Sequence, residues 1–228
     1  MTGITGADMA KALEASVRRY VEAGILEGES CNAVSSAVAK LRKAKSSKSW
    51  DYSVSKGDPI RFTECVDPRD NSKFHPLIMV ESISVDSAED FPYQEWVTVL
   101  VLEYKDRDRE CPRWHFDLGN AGQPGPRLHL QYGGHFHDDR KLDASFKVPR
   151  WSAFPLDTVL LMEVVAANFF AQHWNDTLRD DRTIMKHVKT SEGLCYRPLA
   201  DRLMAYMNDP AMGREATFLR SCWNDTWA

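Results

Sequence analysis

The feature that most constrains this chain is a crowd of strand-like runs between residues 49 and 134, with gaps too short to hold a helix. WDYSVS, PIRFTECV, LIMVESISV, EWVTVLVLEYK, RWHFDL and RLHLQYG are rich in β-branched and aromatic residues. Many of them alternate, and Asp, Pro, Gly and Asn turns separate them. A parallel neighbour needs a crossover of about a dozen residues or more. These runs are therefore expected to pair antiparallel, as a meander of about six strands.

Helical spacing flanks the meander on both sides. Met9, Leu13, Val17 and Tyr20 recur on one helical face over residues 7–23, and Gly24 is a natural stop. A second helix is expected over 31–45, with Val34, Val38 and Leu41 on one side. Its basic end, KLRKAKSSKS, reads either as a solvated terminus complementing the helix dipole or as a phosphate patch. After the meander, Pro155 suits a first helical turn. The helix it opens, to about Gln172, is apolar on nearly every side and should be buried. Further helices are expected near 176–190, 198–208 and 211–223. No repeat or linker is visible. The expectation is one α+β domain, with a helical part over 1–48, an antiparallel sheet over 49–134 and a helical part over 150–228 packed with the first on one sheet face.

The chain has 228 residues and a net charge of −4, which argues against a general nucleic-acid coat. Cys31, Cys65, Cys111, Cys195 and Cys222 are scattered, odd in number and free of any C-x-x-C. That reads as reduced thiols in the cytoplasm. The longest apolar stretch, 158–170, contains Glu163 and is too short to span a bilayer, so no membrane partner is expected.

Alternation assigns side chains to faces. Trp114, Phe116 and Leu118 point one way and His115 and Asp117 the other. Leu128, Leu130 and Tyr132 point to the core, with Arg127, His129 and Gln131 opposite. Two registers satisfy this pattern. In one, His115 meets His129 and Asp117 meets Arg127. In the other, shifted by two, His115 meets Gln131 and Asp117 meets His129. Asp117 beside His129 would raise the imidazole's pKa or fix its tautomer.

Three further features bear on chemistry. Glu103 and Lys105 end an apolar strand as E-x-K, which resembles the arrangement of a large class of Mg-dependent nucleases. The resemblance implies a metal-binding carboxylate, a lysine that steadies water, and an upstream acid, for which Asp86 and Asp90 are the candidates. An ion pair is the alternative. His135 and His137 have the spacing of two ligands converging from one strand, with Asp138 or Asp139 able to add oxygen. Glu163, in the buried helix, needs a cation or a proton; Arg150 or a hairpin histidine is the expected partner. There is no nucleophile motif, Gly-rich phosphate loop or dinucleotide fingerprint.

The order H-x-D, then HLQYGG, then VPRWSAFPLDTVLLMEVVAANFF, resembles a layout of uncharacterised bacterial conserved families. The resemblance spans residues 97–174 and implies a bacterial accessory protein, of a defence or toxin–antitoxin neighbourhood. It assigns no catalytic residue.

These readings lead to a polar sheet-face site for a phosphorylated ligand, nucleic acid or nucleotide. If the protein is an enzyme, it would be a phosphodiester or nucleotide hydrolase. His129 would act as acid and base, oriented by Asp117 with His115 alongside. Arg127 would neutralise a developing oxyanion, with Gln131, Glu103 and Lys105 binding ligand. Mg, Mn or Zn is the candidate cofactor, with His135 and His137 as metal ligands. The alternative is a non-catalytic subunit of a protein assembly, or a homo-oligomer, docking through the aromatic tail that carries Trp223 and Trp227.

Overall fold

Helix α1 (Gly6–Glu22) begins where Thr5 and Asp8 cap each other. The Thr5 hydroxyl accepts from the Asp8 amide at 3.3 Å, and the Asp8 carboxylate accepts from the Thr5 amide at 2.9 Å. Met9, Leu13, Val17 and Tyr20, one helical face, are all buried. Gly24 ends the run with a φ of 71°, a left-handed conformation that a side chain would oppose. The expected second helix divides at Val34 into α2 (Ser30–Ala33) and α3 (Ser35–Lys43). At its basic end, Lys40 pairs with Asp51 and Arg42 with Glu14.

The computed structural model describes residues 3–45, 47–89, 91–105, 111–119, 126–133 and 150–208. Within them the sheet has eight strands: β1 (Ser49–Val54), β2 (Ile60–Arg61), β3 (Cys65–Val66), β4 (Lys73–Asp86), β5 (Tyr93–Tyr104), β6 (Arg113–Leu118), β7 (Leu128–Tyr132) and β8 (Trp151–Ser152). All pairings are antiparallel, as the short gaps require. From β4 to β8 the strands lie in chain order, while β1, β2 and β3 share the other side of β4. The run PIRFTECV, expected as one strand, is two short ones. β8 was not expected at all.

Four described helices follow β8: α4 (Thr158–Phe169), α5 (Ala171–Thr177), α6 (Arg182–Cys195) and α7 (Arg197–Asn208). Pro155 precedes α4 and does not sit in its first turn. The cap is Asp157, whose carboxylate accepts from the Leu160 amide at 2.9 Å. The helix expected over 211–223 lies outside the described residues.

Helices from both ends pack on one sheet face. The main core joins Leu13, Leu41, Val159, Leu161, Met162 and Ile184 to Trp50, Tyr52, Ile78, Ile83 and Trp96 of the sheet. Trp96 is 1% exposed and meets Tyr93 edge-on at 5.2 Å. Burying one side chain of this size contributes roughly 1.5–3 kcal/mol, and the core holds many. The opposite face is not uniformly polar. Leu77, Met79 and Val99 are buried in its middle, beside His115 and His129.

Candidate ligand-binding site

The hairpin of β6 and β7 takes the shifted register. Asp117 lies opposite His129 and His115 opposite Gln131. One turn of the pleat away, Val97 and Val99 of β5 flank Asp117 and His115. The polar row is therefore built by alternation alone.

His129 is buried with its side chain closed to solvent. Its Nδ1 lies 3.0 Å from the Pro126 carbonyl, which can only accept, so Nδ1 carries the proton. Nε2 then holds a lone pair. It faces Asp117 Oδ2 at 3.6 Å, beyond hydrogen-bond range. Burial pulls the His129 pKa below its ordinary value, and Asp117 only partly opposes this. The expected rise is outweighed because desolvation disfavours the imidazolium more than the carboxylate favours it. Arg150 Nε donates to Gln131 Oε1 at 3.4 Å.

A bulge in β4 between Val80 and Ser82 adds Glu81 to this neighbourhood. Burial, and then the Asp117 charge, push its carboxyl up. Alternation gave no sign of Glu81, because a bulge resets the period locally. Among the described residues, no three of His, Cys, Asp and Glu converge on a common metal position. His135, His137, Asp138 and Asp139 lie outside the described residues, as does Asp90.

Glu103 and Lys105 are committed to other partners. Arg61 Nη1 donates to Glu103 at 2.7 Å, and Lys105 pairs with Glu64, which also takes Lys73 at 2.6 Å. The two lysines, Lys105 first, hold Glu64 down to about 2. Asp86 is at the far end of β4, whereas Glu103 pairs beside His75 near its start. That is eleven residues of strand, roughly 35 Å, so Asp86 and Glu103 cannot share an ion. The ion-pair alternative describes this end of the sheet.

Glu163 meets neither Arg150 nor a hairpin histidine. Tyr20 donates to it at 2.6 Å and the Trp174 indole at 2.8 Å. Two neutral donors replace the expected cation; the neighbouring Arg19 of α1 pairs with Asp181 instead. Tyr132, assigned to the core by alternation, is 41% exposed and rests edge-on against Trp114.

Arg127 departs furthest from expectation. It precedes β7, so the pleat does not fix its direction. Its guanidinium lies over the Phe91 ring, 4.5 Å from the centroid, on the helical side of the sheet. Arg202 of α7 approaches the same ring at 5.7 Å. Phe91 is held in turn by Tyr93, edge-on at 4.9 Å. Together they border a cavity of about 470 Å³ whose described walls include Leu128, Ala153, Phe154, Tyr196, Leu199 and Leu203. The volume suits a small molecule. Among the described residues neither guanidinium meets a carboxylate. Sequence reasoning missed this site. Its parts come from the β4–β5 turn, the approach to β7 and a helix near the end of the described chain, and no periodicity links them.

Fold and site together define an α+β protein with a helix-covered antiparallel sheet and an arginine-bordered cavity at its β7–β8 side. Compared with family models, curated proteins and solved structures, the chain matches none.

Proposed function

We propose that this is a binding protein for an anionic ligand, seated in the cavity beside Phe91, Arg127 and Arg202. The observation that carries the reading is the pair of guanidiniums on one ring, neither of which meets a carboxylate among the described residues. Two like charges held close are mutually unfavourable, and an anion at the rim relieves both. A phosphate or carboxylate suits the guanidinium fork. Binding, rather than hydrolysis, is favoured because both hairpin imidazoles are buried, His115 beside Val99 and His129 closed to solvent with its lone pair toward Asp117. The free thiols of Cys31, Cys65, Cys111 and Cys195 support a reducing compartment, which we take to be the cytoplasm. Among the described residues, no helix is long and apolar enough to cross a membrane.

The test is a titration with the fluorescent sulfonate 8-anilinonaphthalene-1-sulfonate. One saturable site is expected on the full chain, with at least about tenfold weaker binding to Arg127→Gln and Arg202→Gln, the loss of one charge-assisted contact. Equal binding by both variants would overturn the reading.

A second reading, docking onto a protein partner, is favoured by one observation. Trp151 and Phe154 are each 65% exposed beside the cavity mouth, with Met204 and Met207 exposed on α7. Aromatics and arginine together are the composition of interface hot spots. Size measurement of Trp151→Ser/Phe154→Ser in cell extract tests it: an unchanged elution volume for wild type and variant removes this surface as an interface. The expected tail anchors, Trp223 and Trp227, lie outside the described residues.

A further inference from the structure

We infer that the ligand of this cavity is an amphiphilic anion: a hydrocarbon body ending in a carboxylate or phosphate monoester, and not a nucleotide. The inference rests on the anion-binding reading and specifies its substrate class. A nucleoside brings several donors and acceptors on its base and sugar. Each one buried without a partner costs on the order of 1–3 kcal/mol. Beyond the arginines, the described wall is apolar, including Leu128, Phe154, Leu199 and Leu203, and Ser152 and Tyr196 bring its two hydroxyls. Tyr196 is itself turned edge-on to Phe154 at 5.8 Å. Such a wall rejects a polar body and accepts methylenes.

Charge is confined to the Phe91 end. Both guanidiniums lie over that ring, so the head of the ligand is placed there and the chain runs between β8 and α7. The ring holds both arginines by cation–π contact at one end of the cavity. Head and body are thus recognised by different side chains, the head by Arg127 and Arg202 over the Phe91 ring and the body by the apolar wall of β7, the β8 end and α7. Carboxylate and phosphate heads share this chemistry. The experiment separates them.

The test is competition for the bound naphthalene sulfonate by straight-chain carboxylates and alkyl phosphates of six to twelve carbons, below their micelle concentrations, with AMP as the polar comparison. Affinity should rise by roughly threefold to fourfold per methylene, the factor expected for burying one CH₂. The series that competes better identifies the head group. AMP should compete at least about tenfold less well than dodecyl phosphate. Leu203→Gln, at a half-buried position of α7 on the cavity wall, should flatten the chain-length dependence while leaving the arginine dependence intact. If AMP competes as well as dodecyl phosphate, or chain length has no effect, the hydrocarbon assignment fails and the anion-binding reading survives. If the sulfonate itself binds independently of Arg127 and Arg202, both fail.

Discussion

The Tyr20 hydroxyl donates to the Glu163 carboxylate at 2.6 Å, joining the first helix of the chain to the most buried one. Trp174 completes the arrangement from α5 at 2.8 Å. The carboxylate keeps two donors in a place where burial would otherwise be costly. Tyr20 itself is pushed well above the ordinary phenol range by burial, and then by the Glu163 charge, so it stays a donor at any working pH.

Tyr20→Phe should therefore destabilise the fold by about 1–3 kcal/mol, because it leaves Glu163 with one donor fewer. Glu163→Gln should cost less, since the amide oxygen still accepts from either partner. Urea unfolding of the two variants checks this. A Phe variant as stable as wild type would show that the contact carries no net stability.

On the other sheet face, His129 should titrate below its ordinary value of 6.5, because burial dominates. Asp117 opposes burial, so Asp117→Asn should move the titration further down. The folded value is depressed relative to the unfolded chain. The stability His129 contributes is thus present above about pH 6.5 and lost as pH falls, when the unfolded state binds the proton more readily. Ring-proton NMR across pH 4–8 follows the shift directly; an upward move in the Asn variant would contradict it.

What could be read from the sequence followed from local periodicity. β1, β4, β5, β6 and β7 are legible because Trp50, Tyr52 and Val54, or Trp114, Phe116 and Leu118, repeat at two residues. α1 is legible because Met9, Leu13, Val17 and Tyr20 repeat at three to four and Thr5 with Asp8 supplies the cap. The correct hairpin register was one of two left open, and alternation could not choose between them. β8 was not legible: Trp151 and Ser152 have no alternating run, and become a strand only by pairing with Leu130 and His129. The candidate site was less legible still. Arg127 looked like a member of the polar row by counting from His129. Lying outside β7, it is free of the pleat, and its long side chain turns to Phe91. Arg202 belongs to an amphipathic helix where nothing marks it apart from Arg197.

The Arg61–Glu103 pair replaces a metal site in the reading of this sheet end. The side chains are 31% and 46% exposed, so solvent screens the attraction. Arg61→Gln and Glu103→Gln should each cost under about 1 kcal/mol, with a coupling energy between them of about 0.2–1 kcal/mol. A double-mutant cycle in urea measures the coupling. If added Mg²⁺ raised the melting temperature of wild type and failed to do so in Glu103→Gln, the carboxylate would be a metal ligand after all.

Asp157 offers the clearest pH signature. It is fully buried, caps α4 through Leu160, and burial pushes its carboxyl up from 3.8 to about 6. The folded value exceeds the unfolded one, so the stability it contributes is complete below about pH 4 and is lost as pH rises through about 6. There the folded protein must ionise a buried group that the unfolded chain ionises in water. Asn at this position keeps a capping oxygen and cannot ionise. The stability of Asp157→Asn relative to wild type should therefore improve by about 3 kcal/mol between pH 4 and pH 8, whatever constant offset the amide introduces. Urea midpoints at the two pH values give the difference. Parallel profiles would mean that Asp157 titrates alike in both states, and that α4 starts on a carboxylate in contact with water.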